Sequence, residues 1–302
     1  MSHPRLGSQG LFIFARPRLL RAAFGGFLFS LALMMFFSPG AMAKTSTMST
    51  RIAEPLGASP TERQLRIATP RGGIRILQPK STTPPGAVIL YVHGYGSSVD
   101  DTWQGYGLVS QFRQSGINAL FVSVEAPAGP GDTVRFRRME AVLDHVSRRL
   151  GKALPKHIVA MGHSGAYRTI LPWLRSRRLR HVILLDALYS NGTRFAAWLR
   201  RAPNHRLTVV SHGKTPTRNG RRLAKLLAPY ARFSKHEPSF VKGFSLRQKR
   251  ARVLFIRARC SHLRIVTGAR TIPVILRDRV LSSPPRGRQD HLVATWRAPF
   301  DV

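Results

Sequence analysis

The chain has 302 residues, of which 43% are hydrophobic and 9% aromatic, enough for a packed core and outside the range of a disordered chain. Its 49 basic residues against 13 acidic ones give a formal net charge of +36, and 40 of the bases are arginine. A single cysteine, Cys260, excludes an intrachain disulfide framework and a cysteine-based metal cluster, and no uninterrupted apolar run reaches the roughly 18 residues of a membrane span.

The first 43 residues read as an export signal. Arg5, Arg16, Arg18 and Arg21 precede an apolar run from Ala22 to Phe37, and Ala41-Met42-Ala43 is a small-residue cleavage pattern. Cleavage after Ala43 would send the remainder out of the cytoplasm, to a periplasmic or secreted location, with no stable membrane span. Residues 44–62 are polar and rich in Pro, Ser and Thr, as in a linker. Residues 63–281 then read as one domain, with a Pro- and Arg-rich tail over 282–302.

Within that domain strands and helices alternate. Residues 63–69 and 73–77 form a predicted hairpin across Pro70-Arg71-Gly72. The run 87–93 (AVILYVH) is continuously apolar, as in a strand covered on both faces. A helix over 101–115, a strand over 117–124 and a helix over 133–150 follow. The last shows Phe136, Met139, Val142, Leu143 and Val146 at three-to-four spacing. Further predicted strands cover 157–161, 181–185, 207–211 and 251–256. Further helices cover 164–177, 192–201, part of 221–233, and 263–281. This alternation predicts an α/β fold, a mostly parallel doubly wound sheet with helices on both faces and no large lid.

Two motifs at strand ends carry chemistry. In Gly162-His163-Ser164-Gly165-Ala166 a strand turns sharply into a helix with Ser164 at the turn, the pattern of a nucleophile elbow. Gly162 and Ala166 are small enough to clear their neighbours, and Gly165 is expected to let the chain turn. In His93-Gly94-Tyr95-Gly96 the chain can aim backbone N–H groups at a developing oxyanion, with Tyr95 N–H and Gly165 N–H as the two donors. His93 is expected to order this loop rather than to transfer protons.

The HGYG and GHSGA segments and the order of strands around them resemble the α/β-hydrolase superfamily over roughly residues 70–280. The resemblance implies an eight-stranded sheet and a Ser–acid–His triad in that chain order. The strand two after the elbow, where the superfamily usually carries its acid, ends Val210-Ser211-His212-Gly213 without a carboxylate. The strand next to the elbow ends Leu184-Leu185-Asp186, so Asp186 is the expected acid, against the alternative that it caps a turn. Two histidines compete for the base. His262 follows the last strand, and His291 stands in the tail; His262 is preferred because a Pro/Arg-rich tail supports a base poorly.

These residues predict acyl transfer by Ser164, Asp186 and His262 with no cofactor and no metal, on a small-molecule, peptide or cell-wall-derived substrate. The basic segment 211–249 is expected to rim the site and to favour acidic or extended substrates. The alternative is a catalytically inactive protein of the same fold that binds an anionic surface or polymer through its charge. The bases are scattered and no nucleic-acid-binding module accompanies them, so no specific nucleic acid is expected.

Overall fold

The computed structural model describes residues 61–281 other than Ala269. The predicted export signal, nearly all of the linker, and the tail with His291 lie outside the described residues. Nine strands form one sheet: β1 (Arg63–Thr69), β2 (Gly72–Gln78), β3 (Val88–Val92), β4 (Leu120–Val124), β5 (Ile158–His163), β6 (Leu179–Leu185), β7 (Arg206–Ser211), β8 (Ala231–Ser234) and β9 (Val253–Arg257). Their spatial order is β1-β2-β4-β3-β5-β6-β7-β9-β8. The hairpin β1–β2 and the β2–β4 pair are antiparallel, and all other pairs are parallel.

The central strands are buried along their whole length, as their largely apolar sequences lead one to expect of strands covered on both faces. On one face pack α3 (Met139–Leu150), α4 (Tyr167–Trp173), α5 (Gly192–Arg200) and α6 (Lys214–Leu226). On the other lie α1 (Val99–Gly105), α2 (Leu108–Ser115), α8 (Arg264–Thr267) and α9 (Thr271–Arg279). A short α7 (Leu246–Arg250) precedes β9. Each fully buried Leu, Ile, Val or Phe in these two layers is worth about 1.5–3 kcal/mol relative to exposure.

Several boundaries differ from expectation. The predicted helix over 101–115 is two helices, because Gly107 takes a left-handed φ of 62° between them. The predicted helix over 133–150 begins only at Met139, with Arg138 extended before it. Phe136 is still buried, and its carbonyl accepts from Trp173 Nε1–H at 2.7 Å. The elbow helix starts with a 3-10 turn over Ser164–Ala166 and ends by Trp173, after Pro172. The C-terminal helix is split into α8 and α9. The basic segment supplies an edge strand, β8, so the sheet has nine strands rather than eight.

Under the sheet, opposite the strand ends that carry the motifs, sits a buried guanidinium. Arg279 donates to the carbonyls of Gln248, Lys249 and Ala251 and to Thr208 Oγ1. Burial, with the charge of Arg206 nearby, pushes this guanidinium well below its ordinary pKa.

Candidate active site

Three strand ends converge on Ser164. At the end of β5 the chain turns at Ser164 itself, which holds φ +53°, a left-handed conformation uncommon for a residue with a side chain. Gly165 is not among the residues with positive φ. Its lack of a side chain serves close approach instead: a Cβ there would lie 2.5 Å from the Tyr95 ring. At Gly162 a Cβ would lie 2.6 Å from Ile170 Cδ1 and 2.8 Å from Ala166 Cβ. The small residues flanking Ser164 therefore let α4 fold back onto β5.

Asp186 directly follows β6, is also left-handed at φ +47°, and is fully buried. Its Oδ1 accepts from the backbone N–H of His212 at 2.8 Å and of Gly213 at 3.2 Å. Its Oδ2 lies 2.6 Å from His262 Nδ1. Burial works to raise this carboxyl, but the His262 imidazole and the two N–H groups outweigh it and hold it below the ordinary carboxylate range. The strand-end carboxylate is thus bonded to an imidazole 76 positions away, rather than only capping a turn. The contact fixes a tautomer: with the proton on Nδ1 donated to Asp186, Nε2 of His262 keeps its lone pair.

His262 lies on the loop between β9 and α8, its side chain 39% exposed. A second imidazole supports it. The His163 and His262 rings lie 4.4 Å apart at 35°, and His163 Nε2 is 3.1 Å from the His262 carbonyl oxygen, so Nε2–H donates there. Burial, and the proximity of His262, push the His163 pKa down to about 4. His163 is therefore a neutral shelf at physiological pH. Among the described contacts Ser164 Oγ and His262 Nε2 make no direct hydrogen bond; such contacts are often long until a substrate closes them.

At the β3 end His93 orders the loop. His93 is fully buried, with Nδ1 2.8 Å from the Gly94 carbonyl and Nε2 accepting from Ala126 N–H at 2.9 Å. The same Nε2 lies 2.9 Å from Glu125 Oε1. His93 thereby ties the Gly94–Tyr95 turn to the end of β4. The Tyr95 N–H makes no backbone hydrogen bond among the described residues.

Two residues of the site escape sequence reading. Tyr189 lies on the loop after Asp186. Burial raises its phenol, the Asp186 charge adds to that, and the Ser164 hydroxyl beside it works the other way. Arg168, on α4, donates to Tyr95 Oη at 3.2 Å and to the carbonyls of Gly129, Pro130 and Asp132. It joins the elbow helix to the turn that carries the Tyr95 amide. Of the basic segment 211–249, the backbone at His212 and Gly213 reaches the site, while β8 lies at the far sheet edge.

No family model and no curated protein matches the sequence. Solved structures of similar chain course include a thermophilic carboxylesterase cloned from a metagenomic library, at 16% identity over 69% of this chain and 82% of that one, TM-score 0.43. A thermostable esterase from Pseudomonas putida matches at 11% identity over 75% and 85%, TM-score 0.46. An S-formylglutathione hydrolase from Agrobacterium tumefaciens matches at 8% identity over 76% and 99%, TM-score 0.47. The fold itself is assigned from strand order and connection. An antiparallel β1–β2 hairpin leads into a parallel sheet in which β4 and β3 exchange places, and a strand–turn–helix elbow leaves β5. On that topology the chain has the α/β-hydrolase fold.

Proposed function

We propose that the protein is a serine hydrolase that cleaves an ester or amide through an acyl-enzyme. The observation that carries this reading is the 2.6 Å contact between Asp186 Oδ2 and His262 Nδ1, made beside a serine held in a strained turn. In the proposed first step His262 Nε2 takes the Ser164 proton as Oγ attacks the acyl carbon. Asp186 holds the imidazole in the productive tautomer and stabilises the imidazolium. The Tyr95 and Gly165 N–H groups are assigned to the oxyanion, where each such donor is worth about 3–4 kcal/mol of transition-state stabilisation. The imidazolium then returns its proton to the leaving group, and water repeats the sequence to release the acid. His163 stays neutral throughout, so the charge that forms on His262 meets no second cation on its stacked face.

A fluorophosphonate probe tests the proposal directly. It is expected to label the wild type, to leave Ser164→Ala unlabelled, and to label His262→Ala only at a greatly reduced rate. Full labelling of His262→Ala would transfer the base to His291. A folded wild type that resists the probe would leave the non-catalytic alternative. Export is part of the same proposal and rests on residues 1–43 alone; N-terminal sequencing of secreted protein should begin at Lys44.

A further inference from the structure

Beside the proposed site lies a cleft of about 950 Å³ whose walls carry Arg137, Arg138, Arg168, Arg175 and Arg194. Three separate segments bring these guanidiniums together: the chain entering α3, the length of α4 and its end, and the start of α5. The carboxylates in the same walls are Asp132 and Glu140. Asp132 Oδ2 is committed to Gly129 N–H at 2.9 Å. Arg168 is held by carbonyls and by Tyr95 Oη. The side chains of Arg137, Arg138, Arg175 and Arg194 make no ion pair or hydrogen bond among the described residues.

Helix electrostatics sharpen the contrast with scattered surface charge. The N-terminus of a helix is its positive end and favours acids. Glu140 answers the start of α3, but the first turn of α5 contains no acid while Arg194 stands in it. One uncompensated positive helix end and four guanidiniums without a partner among the described residues share the cavity, an arrangement that an anion in the cleft would relieve. The cleft adjoins the proposed site through Arg168 and Tyr167. Tyr167 lines it and stands 6.2 Å, ring to ring, from Tyr189, whose hydroxyl neighbours Ser164.

We propose that this cleft is the subsite for a polyanionic portion of the substrate, a small molecule carrying two or more carboxylate or phosphate groups near its scissile bond. The proposal rests on the serine-hydrolase reading for the link to Ser164. The volume is that of a small-molecule site, and planar guanidiniums bind both groups in bidentate fashion.

Calorimetric titration with inorganic tripolyphosphate and with citrate tests the cleft without any turnover. Saturable binding is expected, tighter for whichever anion matches the native group. It should weaken at least about tenfold in R137E/R175E/R194E, since each bond to a charged group lost is worth that much or more. The equally charged control R218E/R222E/R250E, altered on α6 and α7, should bind like the wild type. Arg194→Gln, a neutral change at an exposed position, should weaken binding measurably and guards against misfolding of the triple variant. Bound polyanion should also slow fluorophosphonate labelling of Ser164. Equal weakening in both triple variants, or no saturable binding, would overturn the subsite. Binding that leaves the labelling rate unchanged would detach the cleft from the substrate. A wild type that binds the polyanion but is never labelled would sink the hydrolase reading and leave the anion site standing.

Discussion

Ser164 and Asp186 sit on adjacent strands, both in the left-handed region and each directly after its strand, β5 and β6. The motif around Ser164 was legible because a nucleophile elbow is a local pattern. Asp186 was legible because a carboxylate after four apolar strand residues needs a partner. What sequence did not reveal was how the turn is made: Ser164 itself bears the strained torsion, while Gly165 makes room for the Tyr95 ring. Gly165→Ala is therefore expected to force that ring away and to lower kcat by about 10²-fold or more, the cost of losing one oxyanion donor. KM for a neutral ester should change far less. Asp186→Asn keeps the shape but unsettles the His262 tautomer, and its kcat should fall by about 10³–10⁴-fold. Tyr189 and Arg168 were illegible because their significance lies in contacts 25 or more positions away or across a loop, which no periodicity encodes.

At the level of elements, long apolar runs located the central strands to within two residues, except that β4 starts three residues later than the apolar run 117–124. The failures share a cause. β8 has four residues, Ala231-Arg232-Phe233-Ser234, in a basic stretch, and an edge strand needs no apolar run. The helix over 101–115 kept its apolar spacing across a break that only Gly107 marks. Residues 133–138 kept helical spacing too, yet Phe136 enters the core from a loop held by Trp173. Arg168 and Arg279 each join elements through carbonyls rather than carboxylates. Arg279→Leu would leave the Ala251 carbonyl without its donor and take one donor each from the Gln248 and Lys249 carbonyls at the end of α7, which keep Ala251 N–H and Arg206, and from Thr208, which keeps His181. A loss of about 1–3 kcal/mol is expected in urea unfolding, the cost of leaving one buried acceptor unsatisfied. Arg168→Leu should act differently. By freeing residues 129–132 and Tyr95 it should reduce kcat with a smaller effect on stability, and a paired measurement of both would separate the two roles.

Across the whole molecule, several buried histidines are held neutral. Burial is the leading cause of the lowered pKa at His163, His181, His157 and His205. For such a group the unfolded chain binds more protons than the folded one once the pH drops below the ordinary value of 6.5. Stability is complete above that value and is lost as the pH falls toward the depressed folded value. His163 alone, with its folded pKa near 4, should cost about 3 kcal/mol across that interval. Denaturant unfolding at pH 7 and pH 4.5 should show a drop that is smaller in His163→Gln. An unchanged pH dependence in that variant would refute the assignment. The left-handed torsion of Ser164 carries a consequence of another kind, a trade between durability and activity. A residue with a Cβ pays about 1–2 kcal/mol in that region and glycine pays almost nothing. Ser164→Gly and Ser164→Ala both remove the hydroxyl, but only the alanine keeps the penalty. Under the serine-hydrolase proposal both variants are inactive, yet the glycine variant is expected to melt a few degrees above the alanine variant, a heat resistance that the native Ser164 gives up to hold its hydroxyl in the turn.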